Sequence, residues 1–191
     1  RVRQLTGPNR SDPLLTFAFS LDDLLGWSGK PGLVDALMTG VREVLLPFGD
    51  VAPAGLTRVS SDEKDNSCFR VEPSGRKVFA EFRGETDGTS IPLPESALFA
   101  PRSVWRLELS SRDPYSLIGR QILYVDQASM LPAVNVIFDR AGKLWKLVFA
   151  AFGTAQNADR SAPYLSFQVV SDLREGKTSV IIPLRIEYCD A

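Results

Sequence analysis

The chain has no histidine in its 191 residues. That absence removes Ser-His-Asp and Cys-His nucleophilic catalysis and every metal site that depends on imidazole. Carboxylate, Lys, Tyr or Ser chemistry stays open, but the balance shifts away from hydrolases. Cysteine is almost absent too. Cys68 and Cys189 are too few for a disulfide framework or a zinc cluster, and stand either as one bridge in an oxidising compartment or as two buried thiols. No apolar run approaches ~18 residues, so no transmembrane helix is expected. An excess of either charge is also missing. The 22 basic and 23 acidic side chains leave a net charge of −1, without the basic surplus that goes with nucleic-acid binding.

What is present is an ordinary globular composition, 44% apolar and 24% charged. A chain of this length buries roughly 70% of its extended surface and can hold a core without staples. It opens Arg1-Val2-Arg3-Gln4-Leu5, with no initiator Met and already in strand-like alternation. That start reads as the interior of a longer precursor whose signal peptide lies outside this fragment.

Period two dominates the pattern. Trp105, Leu107 and Leu109 alternate with Val104, Arg106 and Glu108, and Val134, Val136 and Phe138 alternate with Asn135, Ile137 and Asp139. The segment Asp139-Arg140-Ala141-Gly142-Lys143 then supplies a turn, and residues 144–149 resume extended structure, a strong hairpin signal. Leu165, Phe167 and Val169 alternate next, and Arg174-Glu175-Gly176-Lys177 turns the chain back. A last strand over residues 180–188 carries Pro183, which suits an edge or a bulge. Helix is scarce. Ser20-Leu21-Asp22-Asp23-Leu24-Leu25-Gly26 has an N-cap Ser, acids in its first turn and a Gly stop, and residues 32–38 form a weaker candidate. Residues 60–67, 86–94 and 153–163 read as loops. The expectation is one mainly antiparallel β domain over residues 1–191.

Candidate chemistry is thin. Asp22 and Asp23 are adjacent, but neighbouring helix residues point about 100° apart, so capping explains them better than catalysis. The cluster Asp62-Glu63-Lys64-Asp65 lacks the Gly and terminal Glu of a calcium loop, and residues 49–55 lack the Lys-Ser/Thr of a phosphate loop. Ser110-Ser111-Arg112-Asp113 fits a strand exit followed by an Asp-Pro turn. Val180, Ile181 and Ile182 are consecutive, as are Leu147, Val148 and Phe149, so some strands are apolar on both faces. Such strands need a second layer, a partner or a ligand.

Two stretches together resemble a known family. The first combines Arg1-Val2-Arg3-Gln4-Leu5 with Phe19-Ser20-Leu21-Asp22-Asp23 and Trp27-Ser28-Gly29. The second combines Gly119-Arg120-Gln121-Ile122-Leu123-Tyr124-Val125-Asp126 with Phe138-Asp139-Arg140-Ala141-Gly142-Lys143-Leu144-Trp145-Lys146. From Arg1 to about Pro183 the chain resembles the C-terminal half of an uncharacterised bacterial family of outer-membrane lipoprotein-sorting proteins, related to the LolA and LppX carriers.

The resemblance implies a half-barrel, a strongly curved antiparallel sheet with one or two short helices plugging its concave face. It also implies a periplasmic, non-enzymatic carrier of a lipid or other hydrophobic molecule in a Gram-negative bacterium, without metal or cofactor, working beside a membrane exporter. Carried onto this chain, Leu21, Leu24 and Leu25 become plug residues. Trp105, Leu107, Leu109, Val136, Phe138, Trp145, Leu147, Phe149 and Phe167 become cavity candidates. A one-residue slip of register would exchange the inward and outward sets. The alternative function is a structural or interaction module that acts as adaptor to a membrane transporter, with a solid core and an exposed apolar patch or free sheet edge.

Overall fold

The structure is a computed structural model and describes residues 17–48, 54–59, 68–71 and 98–189. The strand-like start at Arg1, the segments 60–67 and 86–94, and most of 49–55 lie outside the described residues. Two short 3-10 helices, η1 (Leu21–Gly26) and η2 (Pro31–Leu33), precede the strands. These are β1 (Val34–Phe48), β2 (Ala54–Val59), β3 (Cys68–Val71), β4 (Leu98–Ser111), β5 (Ile118–Asp126), β6 (Pro132–Asp139), β7 (Leu144–Gln156), β8 (Ser161–Asp172), β9 (Lys177–Ile181) and β10 (Ile186–Cys189).

The fold is mainly β, as the alternating pattern predicts. Strands run in the order β1-β4-β5-β6-β7, with β8 and β9 continuing from β7 and the short set β2-β3-β10 joining at its far end. Most pairs are antiparallel. The sheet curls far enough for Phe48 of β1 to form one parallel bridge with Phe152 of β7, and it stays open. Register shifts at Met38/Gly40, Ile118/Arg120, Tyr124/Val125, Ile137/Phe138 and Ala151/Phe152 supply the bends, since each extra residue kinks its strand and increases local twist.

β7 is the hub. Its first half pairs with β6, nearly its whole length pairs with β8, and its last residues meet β2 in parallel. The β6–β7 hairpin closes as its sequence predicts. Gly142 takes φ +79°, the Asp139 amide donates to the Lys143 carbonyl, and the Lys143 amide donates to Asp139 Oδ1. At the β8–β9 turn Asp172 Oδ1 accepts from the amides of Arg174 and Glu175, and Gly176 takes φ +61°.

Three local expectations change. The helix candidate over 32–38 is one turn of 3-10 structure followed by strand from Val34, because Val34 to Met38 gain a full ladder to β4 that a short helix cannot offer. The loop expected over 153–163 shrinks to the turn between Gln156 and Ser161, since both flanking strands pair to their ends. The last strand divides into β9 and β10 around Pro183, which has no N–H for a ladder.

Cys68 and Cys189 stand directly opposite in the β3–β10 ladder and form a disulfide, S–S 2.09 Å. The bridge clips the end of the chain to the small β2-β3-β10 sheet. That sheet packs through Leu56 and Val71 onto Ala155 and Tyr164. Among the described residues no helix is long and apolar enough to cross a membrane.

The disulfide closes a loop of sequence separation 121, so it strongly restricts the unfolded chain. Cys189→Ser is expected to lower the unfolding free energy by roughly 2–5 kcal/mol, measured by urea denaturation. Unchanged midpoints with and without reductant would contradict this.

Candidate functional site

The segment from Ala18 to Gly26 lies across β6, β7 and β8 and is held there mainly by polar groups. The Ser20 amide and hydroxyl both donate to Asp23 Oδ2, at 2.7 and 2.8 Å. Lys146 Nζ reaches the same oxygen at 3.0 Å, and both side chains of this ion pair are 2% exposed. Gln168 Nε2 donates to the Asp23 carbonyl at 2.7 Å, while the Gly26 amide donates to Gln168 Oε1 at 3.1 Å. Asn135 Nδ2 donates to Gln121 Oε1 at 2.9 Å and approaches the Gly26 carbonyl at 3.4 Å. Asn135 Oδ1 is buried without a hydrogen-bond partner among the described residues.

The plug is therefore seated by a polar clamp to which β5, β6, β7 and β8 contribute Gln121, Asn135, Lys146 and Gln168. The backbone bends to fit. Leu25 takes φ +55° and Gly26 φ +80°, and a Cβ on Gly26 would fall 2.0 Å from the Pro132 carbonyl oxygen. Only glycine can occupy that position. Beside the clamp, Ala18, Ile118, Ile137, Trp145, Val148 and Val170 form an apolar cluster, and the Trp145 indole N–H donates to Asp172 Oδ2 at 2.9 Å.

The predicted cavity residues divide between the two faces of the sheet. Leu107 pairs with Leu123, which pairs with Asn135 beneath the plug, so Trp105, Leu107 and Leu109 share the plug face. Val136 and Phe138 pair with Ile122 and Arg120. They belong to the reverse face, as do Leu147, Phe149 and Phe167, which follow through the β6–β7 and β7–β8 ladders. Arg120 stacks over the Phe138 ring there at 4.4 Å. Phe167 is fully buried with Ala151 and Val169. The division arises because turn lengths and bulges, not strand composition, set the parity between neighbouring strands. The β6–β7 bulge also turns Trp145 and Lys146 both toward the plug. In the plug itself Leu21 and Leu25 are 41% and 52% exposed and Leu24 is half-buried, whereas Ser20, Asp23 and Gly26 are buried.

The clamp residues were missed from sequence, although a signal existed. In four strands a polar side chain falls among apolar neighbours, as in Gln121-Ile122-Leu123, Val134-Asn135-Val136, Trp145-Lys146-Leu147 and Phe167-Gln168-Val169.

Along β1 and β4 the plug face is apolar; η1 packs chiefly on β6, β7 and β8, and Leu109 is buried while the β1 side is exposed. Ala36 pairs with Leu109, Met38 with Leu107 and Val41 with Trp105. Met38 is 59% and Val41 47% exposed. At the Val34 end of this strip lies a cleft of about 130 Å³, lined by Trp27, Lys30, Val34, Ser111, Asp113 and Gln121 among others. A second cleft of about 80 Å³ involves Arg102 and Asp126. Both are smaller than the ~300–1,000 Å³ of pockets that enclose a drug-sized ligand. Among the described residues no group of three or more His, Cys, Asp or Glu side chains is placed to hold a metal.

Arg102 binds Asp126 through two hydrogen bonds, at 3.0 and 2.7 Å, and Ser129 donates to the same carboxylate from its amide and hydroxyl. Burial pushes the Asp126 pKa up, but Arg102 and Ser129 together outweigh it and hold the carboxyl below its ordinary value.

Two outcomes follow. Removing one partner of a buried pair strands the other charge, so Lys146→Met is expected to cost roughly 3–5 kcal/mol in chemical denaturation. The double variant Asp23→Asn with Lys146→Met, which removes both charges but keeps an acceptor for Ser20, should recover much of that loss; a double variant as unstable as the single one would count against the buried pair. For Asp126 the folded pKa is depressed, so its stabilisation is present above the unfolded-state pKa and disappears as pH falls through the folded value. Asp126→Asn should flatten the loss of stability below about pH 4, and an unchanged acid titration of unfolding would refute the assignment.

Comparison with known proteins places the chain in context. No curated protein matches it. A crystal structure from Vibrio parahaemolyticus, provisionally described as an outer membrane lipoprotein-sorting protein domain, aligns with a TM-score of 0.40 and 14% identity, covering 69% of this chain. The chain spans 63% of that structure's length. A family model described as a protein of unknown function matches residues 1–183, and the chain belongs to that family, DUF1329.

Proposed function

We propose that the protein is a non-enzymatic binder of hydrophobic molecules in an oxidising envelope compartment, carrying an acyl chain along the open strip of β1 and β4. The observation that carries this reading is the apolar ladder of β1 and β4, in which Ala36, Met38 and Val41 are exposed beside the half-buried Leu107 and Trp105. A contiguous exposed apolar surface on a folded chain marks a binding site more often than chance exposure. The Cys68–Cys189 bridge supports an oxidising compartment, of which the periplasm is one. Polar groups occupy the sheet beneath the plug, so the proposed binding surface is an open strip beside the plug and not an enclosed channel under it. On this reading Trp105 and Leu107 take part in binding, while the buried Leu109 and the reverse-face residues Val136, Phe138, Leu147, Phe149 and Phe167 serve packing.

One observation favours a second reading, the adaptor to a membrane transporter. Leu37, on the reverse face of β1 opposite Glu108, is 65% exposed. The first strand therefore presents apolar groups on both sides, which suits docking against a protein.

Burial of one acyl chain at roughly 25 cal/mol per Å² supplies about micromolar affinity after the cost of association. Titration with monododecanoylglycerol, read by Trp fluorescence, is expected to saturate in that range. Met38→Glu should weaken binding about tenfold or more while leaving the unfolding midpoint unchanged, because Met38 is largely exposed. A wild-type chain that shows no saturable binding would overturn the carrier reading.

A further inference from the structure

The cleft at the Val34 end of the strip has the chemistry of a polar subsite. Gln121, 6% exposed, is part of its wall. Its Oε1 is engaged by Asn135 Nδ2 at 2.9 Å, and the approach of the same Nδ2 to the Gly26 carbonyl fixes which end of each amide is which. The Gln121 NH2 is thus the end left for the cleft, and among the described residues it has no hydrogen-bond partner. Two hydroxyls beside it are donors as well. Ser111 Oγ already accepts from the Asp113 amide, at 3.3 Å, and Ser116 Oγ from the Ile118 amide, at 3.1 Å. Each therefore retains its O–H for a ligand.

Charge decides the class of acceptor. Asp22 and Asp113 line the cleft against the single ammonium of Lys30, and the nearby Arg140 guanidinium is engaged by the backbone carbonyls of Asp113 and Ser116. An anion gains nothing from that balance, whereas a neutral carbonyl can take the free donors. Val34 and Ser111 form the first pair of the β1–β4 ladder, and Ala36–Leu109 and Met38–Leu107 follow on the same face. The apolar run from Val34 to Val41 spans roughly 23 Å of strand.

We propose that this cleft receives the neutral ester carbonyl end of an acyl lipid whose chain lies on the β1–β4 strip, with the Gln121 NH2 as the central donor. This rests on the carrier reading above and assigns the orientation of its cargo.

The test compares, on the 191-residue chain at pH 8, monododecanoylglycerol with the ether 1-O-dodecylglycerol, which differs by the carbonyl alone, and with dodecanoate. The ester is expected to bind about tenfold more tightly than the ether. Gln121→Glu keeps an acceptor for Asn135 but removes the donor, and on that variant the ester and the ether should bind equally. The ester–ether comparison on the wild-type chain decides the matter even if that variant folds poorly. Equal affinity for ester and ether would overturn the subsite while the carrier reading stands. Tighter binding of dodecanoate than of the ester would replace it with an anion site. Failure of all three ligands to bind would overturn both.

Discussion

The Asp23–Lys146 pair is the contact on which the placement of the plug depends. Two opposite charges, each with a side chain 2% exposed, sit beside the apolar cluster of Ile118, Ile137, Trp145, Val148 and Val170. Their desolvation is costly, and it is offset only because Asp23 Oδ2 also accepts from the Ser20 amide and hydroxyl while the backbone around it is held by Gln168. Apolar packing alone would tolerate sliding of so short a segment. Directional hydrogen bonds to fixed strand positions do not, and they set where the plug ends and where open sheet begins.

That placement has a consequence for the rest of the surface. The plug rests on β6, β7 and β8, and on the same face Ala36, Met38 and Val41 of β1 are exposed. The fold thus keeps two environments on one face, a sealed polar seat and an exposed apolar ladder, with the cleft around Gln121 where they meet. Gln121 belongs to both. Its oxygen serves the clamp through Asn135, and its NH2 is left over.

Much of the architecture was legible because sheet formation depends on local alternation and turn chemistry. The hairpin at residues 139–143 could be read from Asp139, Gly142 and the flanking periodicity, and the short capped helix from Ser20 and Asp23. Asp23 as a capping residue was readable too, since the capping group lies three residues away. Its second role was not, because Lys146 is distant in sequence and nothing local records the pairing. The cavity set was harder still. Trp105 and Val136 look alike as alternating apolar residues, yet they lie on opposite faces.

The sequence by itself determined a mainly β chain, the positions of its chief turns, the lack of histidine chemistry and the polar interruptions in four strands. All of these depend on residue identity and near neighbours. Only the tertiary structure decided which face each strand shows its neighbour, that Cys68 meets Cys189, and that the four interruptions converge on one short plug. Those outcomes depend on bulges and turn lengths that shift parity by a single residue. In a period-two structure such a shift moves a side chain from one side of the sheet to the other.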